Sequence, residues 1–319
     1  MERSADSLSG DLKTAGRGLL MGAADIVPGV SGGTMALILG IYERLVAAIS
    51  HVDLELLGHV RSRRFVDAAE HADLRFLAAL LAGIGTGVVS LASLMHYLLE
   101  HERAATYGLF FGLILASSWL VARMVERWSP VEVGAVVGGA FFAFWLVGLV
   151  PVVAEPTALY VFGSGAIAIC AMILPGISGA FILLLLGMYY HVTGLLKGLA
   201  AGAITGEALS TVALFGAGCV TGILVFSRVL RFLLDRFHSV TMAVLCGFMF
   251  GSLRKIWPFT VEIDFDPNKD FKARIFEPVL PWAAPDGMWT PLVLIVVGVA
   301  LVLILARVAA GGQERAHSS

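Results

Sequence analysis

Charge is scarce in this sequence, and that scarcity excludes most soluble folds. Only 14% of residues are charged while 58% are hydrophobic, and the mean hydropathy is +0.87. A soluble domain carries roughly a quarter charged residues, so this chain cannot cover a fully hydrated surface. The net charge of -2 points to no particular partner, and nucleic acid has no support. Cysteine is also rare. Cys170, Cys219 and Cys246 lie in apolar stretches without metal-ligand spacing, which reads as inert core thiols rather than a disulfide framework. The chain lacks His-Glu-x-x-His, Gly-x-Ser-x-Gly, paired-Asp and P-loop motifs, so no enzyme, cofactor or metal is expected. The polar stretch Met1 to Arg17 has no signal-peptide cleavage pattern.

Long apolar runs are what the chain has in abundance. Those near 76–99, 105–122, 131–150, 208–230, 239–253 and 289–306 each read as a membrane helix. A span needs about 20 apolar residues, and 239–253 is short for one. The expected fold is an all-α polytopic membrane protein.

One motif occurs twice. Asp25-Ile26-Val27-Pro28-Gly29-Val30-Ser31-Gly32-Gly33-Thr34, with Gly40 and Tyr42 after it, recurs as Met172-Ile173-Leu174-Pro175-Gly176-Ile177-Ser178-Gly179-Ala180-Phe181, with Gly187 and Tyr189, at an offset of 147 residues. The likeness continues at an offset of 135 residues: Thr86-Gly87 with Thr221-Gly222, Thr106 with Thr241, Gly112 and Ser117 with Gly247 and Ser252. The shorter offset fits a longer polar connection in the first half, around His51 to Asp73. Interrupted apolar segments at matching places in two halves point to a transporter binding site.

Two homologous halves are therefore expected, 17–150 and 158–308, between an N-terminal tail (1–16) and a polar, disordered C-terminal tail (309–319). Each motif segment is either one long span or a re-entrant hairpin turning at Pro-Gly. Lys and Arg concentrate in cytoplasmic loops. Hairpins put most of the 22 basic residues inside, and single spans give a weaker split. The favoured reading is two inverted-topology repeats, each a re-entrant broken-helix hairpin plus about three transmembrane helices. Both termini are then cytoplasmic, and the Pro-broken stretch 254–288 is a small extracytoplasmic loop.

Broken backbone inside a membrane survives only where it is buried in protein or lines a watery cavity. Ser31 and Ser178 stand at the N-cap position of apolar helical runs, where a hydroxyl accepts a backbone N–H. Gly32, Gly33, Gly179 and Ala180 leave room for a ligand to approach. Two facing helix N-termini suit an anion. Asp25 is read in two ways: as a functional carboxylate able to carry a proton at membrane depth, or as a brace for the broken backbone. Glu43 and Arg44 are either an interfacial pair or a contact for an anionic headgroup. Arg228 and Arg231 are positive-inside anchors or, for Arg228, a substrate contact. Thr86-Gly87 and Thr221-Gly222 read as packing sites for close helices.

The string Gly22 to Thr34, followed by Gly40-Ile41-Tyr42-Glu43, resembles the PopT-type polyprenyl-phosphate transporters of bacteria and archaea, and the second Pro175-Gly176-Ile177-Ser178-Gly179 copy is similar to the same family. The resemblance covers nearly the whole chain. It implies return of undecaprenyl phosphate, the C55 lipid carrier, from the outer to the inner leaflet of the cytoplasmic membrane for envelope polymer synthesis. It carries over onto Asp25, Pro28, Gly29, Ser31, Gly32, Gly33, Glu43, Pro175, Gly176, Ser178 and Gly179. Thr34, Arg44 and Arg228 complete the candidate substrate site. The chain departs from the family at Ala116-Ser117-Ser118-Trp119 and Gly251-Ser252-Leu253-Arg254, where a Gly-Ser-x-Pro-like stretch is expected. Expected partners are the lipid phosphate and membrane lipids. Alternatives are a transporter of a small soluble anion and a non-transporting membrane scaffold.

Overall fold

A computed structural model describes residues 8–26, 31–263, 276–285 and 287–317. Pro28 and Gly29 lie outside the described residues, as do residues 264–275 of the expected extracytoplasmic loop. The chain is almost wholly helical. The first half contains α1 (Leu8–Asp25), α2 (Gly32–Ile38), α3 (Tyr42–Ser50), α4 (Leu54–Arg61), α5 (Phe65–His71), α6 (Leu74–His101), α7 (Arg103–Ala122) and α8 (Pro130–Leu146). The second contains α9 (Ala158–Ile173), α10 (Gly179–Leu185), α11 (Tyr189–Ala200), α12 (Gly206–Arg236), α13 (His238–Ser252) and α14 (Trp289–His317). A 3-10 turn, Leu253–Ile256, extends α13. The strands β1 (Thr260–Glu262) and β2 (Phe276–Pro278) pair antiparallel.

Among the described residues, α6, α7, α12 and α13 with its 3-10 extension are long and apolar enough to cross a membrane. The pair α10 and α11 qualifies jointly but bends by 112°. Two boundaries differ from expectation. Helix α1 begins at Leu8, inside the stretch read as a tail, where Arg75 holds Asp11 at 2.9 Å. Helix α14 runs on to His317, so residues 309–317 of the stretch read as disordered are helical.

The two sequence copies fold alike. Each motif segment breaks a second time, at Gly40 (φ +66) and Gly187 (φ +68). There Ile41 N donates to Ala36 O and Met188 N to Leu183 O, both at 2.9 Å, the 6→1 bond that ends a helix on a left-handed glycine. The turns after α6 and α12 match too: Thr106 donates to Leu98 O and Thr241 to Leu233 O. In the second half α10 folds back along α9, for Gly179 lies against Ala168 and the Tyr160 hydroxyl donates to Leu186 O at 2.8 Å.

Packing pairs are reciprocal. Helix α1 lies on α6 as α9 lies on α12, while α7 packs on α14 and α8 on α13, across the halves. Glycines set these approaches. A Cβ on Gly83, Gly87, Gly218 or Gly222 would meet the carbonyl of Ala15, Leu19, Phe162 or Ala166. Between membrane helices there is no hydrophobic drive, so close backbone contact and dispersion supply the attraction.

Replacing Gly83 by Leu therefore forces α1 off α6 and is expected to destabilise the protein by about 1–3 kcal/mol. Thermal unfolding of purified protein in detergent reads this out. Gly85→Ala, with no atom within 4 Å of the new methyl, leaves the midpoint unlowered.

Candidate functional site

The two Pro-Gly-x-Ser-Gly segments meet in the protein interior. Ser31 caps α2, its Oγ accepting from Thr34 N at 3.3 Å and donating to Leu174 O at 3.2 Å. Gly176 N donates to Thr34 Oγ1 at 2.8 Å. Gly33 lies against the carbonyls of Met172 and Ile173, where a side chain has no room. Gly176, at φ +84, turns the chain beneath Phe248 and Ser252. Each break thus satisfies backbone groups freed by the other.

Asp25 braces this junction. Its Oδ1 accepts from Gly32 N at 2.6 Å, a charge-assisted bond to the first turn of α2. With Asp25 and Ser31 in place, two N–H groups expected to face a ligand are already taken. Ser178 stands at the matching position of α10, but its side chain makes no capping bond there, contrary to expectation.

A cavity of about 480 Å³ opens over this junction. Asp25, Ile26 and Ser178 line it, together with Phe181, Leu184, Val147, Leu149 and Val150 as apolar wall. Arg103, Arg254 and Lys255 also line it and are its cations. Arg103 contacts Thr260 of β1 and stacks on Phe276 of β2, 3.3 Å from the ring centre. Arg254 donates to Phe144 O at 3.0 Å, and the Lys255 ammonium stands 4.3 Å from the centre of the Phe181 ring. Among the described lining residues, Asp25 is the one carboxylate against these three cations. The cavity is suited to an anionic head beside an apolar group.

Not every expected residue reaches it. Arg44 forms a two-pronged pair with Asp73, at 2.6 and 3.0 Å, over the Phe76 ring. Glu43 faces His238 at 3.1 Å. Arg228 donates to Val52 O, and Arg231 to Ser50 Oγ at 3.1 Å. All four contacts join α3 or its C-terminal end to other helices, away from the cavity. Ser117 and Ser252 donate to Leu113 O and Met249 O. The residues that sequence reasoning did not single out are Arg103, Arg254, Lys255 and Tyr189. A usable signal existed: Arg254 and Lys255 sit where the membrane helix α13 ends, beside Trp257, and Tyr189 repeats Tyr42.

The copies differ in exposure. Ser178 and Tyr189 line the open cavity. Their counterparts Ser31 and Tyr42 are 1% and 2% exposed, and the Tyr42 hydroxyl has no hydrogen-bond partner among the described residues.

A helical membrane protein with paired broken segments and one cationic, half-apolar cavity has the makings of a carrier for an amphiphilic anion. Comparison with known proteins agrees. The VCA0040-like family, undecaprenyl phosphate translocase-like, matches residues 21–271, and the chain belongs to that family. It is 40% identical over 306 residues to a polyprenyl-phosphate transporter of Vibrio cholerae, covering 93% of this chain and 97% of the relative. It is 30% identical over 258 residues to a polyprenyl-phosphate transporter of Staphylococcus aureus, covering 76% and 84%. No solved structure matches.

The two serines are distinguishable by experiment. Ser31→Ala leaves Thr34 N and Leu174 O without this partner and is expected to cost about 1–3 kcal/mol. Ser178→Ala breaks no bond of its side chain that the structure records and should leave thermal stability within about 0.5 kcal/mol of the parent. Melting curves of the two variants side by side check the difference.

Proposed function

We propose that the protein carries a polyprenyl phosphate, undecaprenyl phosphate in particular, from the outer to the inner leaflet of the cytoplasmic membrane. The observation that carries this reading is the cavity, whose cations and apolar wall meet over the two broken motifs. A phosphate monoester bears between one and two negative charges at neutral pH. Arg103, Arg254 and Lys255 balance that charge, and guanidinium forks suit phosphate oxygens. The prenyl tail remains in lipid, so only the head needs a polar path. The names of the two curated relatives support the substrate class.

The cavity belongs to the extracytoplasmic side in this reading. The charge pattern puts the α6–α7 turn, the end of α13 and the β1–β2 cap outside. Two inverted halves then offer one site to each face in turn. Here the second motif is open and the first is closed, an outward-facing state. Closure inside rests on Arg44–Asp73, Glu43–His238 and the Arg228 and Arg231 contacts, which hold α3 to α6, α13 and α12. These contacts must part for inward release. Proton exchange, where it drives transport, is assigned to Asp25, which lines the cavity.

Purified protein in liposomes, with transbilayer movement of polyprenyl phosphate followed, tests the reading. The double variant Arg254→Gln, Lys255→Gln loses hydrogen bonds to a charged head, each worth about 1.5–3 kcal/mol, and should transport at least tenfold more slowly. Movement of inorganic phosphate instead of the lipid would make it a soluble-anion carrier, and no movement of either, with folded protein, would leave a scaffold. Breaking the inner closure with Asp73→Asn should raise labelling of a Tyr42→Cys probe from the cytoplasmic side, in a background without the native cysteines. Unchanged labelling would sink the gating scheme but not the substrate assignment.

A further inference from the structure

The short helices between α3 and α6 gather three histidines and two carboxylates that the transport scheme does not use. Helix α3 ends at Ser50, and His51, Asp53 and Glu55 follow at the start of α4. His59 lies one turn beyond Glu55 on the same helix face. His71 ends α5. Arg63 (φ 55) and Asp73 (φ 47) turn the chain sharply on either side of α5, bringing its end back to the start of α4.

The side chains converge. His71 Nε2 lies 3.1 and 3.3 Å from the two oxygens of Asp53. His59 Nε2 lies 3.7 Å from Glu55 Oε1. Ligand atoms of Asp53, Glu55 and His71 all fall within 4.8 Å of one another. The His59 and His71 rings meet edge-on at 5.8 Å, and both side chains are only 18% exposed. The His51 ring packs at a tilt on His71, with centroids 4.8 Å apart.

We infer that Asp53, Glu55, His59 and His71 form a binding site for one divalent transition-metal ion of the zinc class. Zinc takes four such ligands at about 2.0–2.2 Å in a tetrahedron, which places ligand atoms about 3.3 Å apart. The His71–Asp53 separation already matches, the exposed Glu55 closes on them by rotation, and the His59 ring completes the set by turning toward His71. Two imidazoles with two carboxylates favour zinc over magnesium or calcium, which prefer all-oxygen shells. Asp53 also accepts from Leu56 N at 3.0 Å, but a carboxylate keeps lone pairs for a metal. The His51 ring packed on His71 limits the orientations of that imidazole. The site adjoins Ser50 and Val52, where Arg231 and Arg228 of α12 dock. A bound ion would lock that junction between the halves.

The test is a titration of tag-free, chelator-stripped protein with Zn²⁺ by calorimetry, with metal content measured after dialysis. The expected result is one ion per chain, not displaced by excess Mg²⁺. Affinity should fall at least tenfold in Glu55→Gln and be lost in His59→Ala, His71→Ala. Glu55 is exposed, so its variant separates loss of a ligand from loss of the fold. Absence of saturable Zn²⁺ binding, or unchanged binding in the double variant, would falsify the site and leave the cluster as a hydrogen-bonded helix junction.

Discussion

Backbone that leaves the helix inside a membrane has no water to turn to, and the rest of this structure depends on how that debt of hydrogen bonds is met. Two segments break, and each supplies what the other lacks. Ser31 reaches the Leu174 carbonyl, and Gly176 reaches the Thr34 hydroxyl. Asp25 answers the Gly32 amide from within its own half. Neither break is self-sufficient, so the halves must fold against one another. An unpaired amide or carbonyl in hydrocarbon costs several kcal/mol.

The reciprocal helix pairs extend the same dependence outward. Helices α7 and α8 find their closest partners in the other half, while α1 and α9 stay with α6 and α12 of their own. Glycines at the crossings admit backbone where a methyl would collide. Such surfaces have discrete arrangements rather than a continuous range. The cavity beneath the cap lies at the second motif, and the ion-paired face around α3 lies beyond the first.

Chemistry is divided along the same line. The sequence motif builds the floor of the cavity and uses its own carboxylate and hydroxyl to hold that floor together. The cations that can meet an anion come from elsewhere: the start of α7 and the turn after α13. A helix start already capped by Asp25 has little left for a phosphate, whereas Lys255 stands over the Phe181 ring with no acidic partner among the described residues.

The sequence by itself determined the helical class, the six uninterrupted helices, the twofold repeat and the family, because apolar run length and the spacing of Pro, Gly and Ser are local properties. Even the second break was written there, in the recurrence of Gly40 and Gly187, whose left-handed φ only becomes visible in three dimensions. Tertiary structure decided the site. Arg103 is 150 or so residues from Arg254 and Lys255 in the chain, and no local pattern says that a cap of two short strands draws them over one cavity. It also decided that Glu43, Arg44 and Arg228 lie away from that cavity, since each meets a partner distant in the sequence. Ser31 and Ser178 share the Pro-Gly-x-Ser-Gly motif and are unlike in role for the same reason. A hydroxyl's bond depends on which carbonyl the fold brings within reach, and only the packing of the two halves sets that.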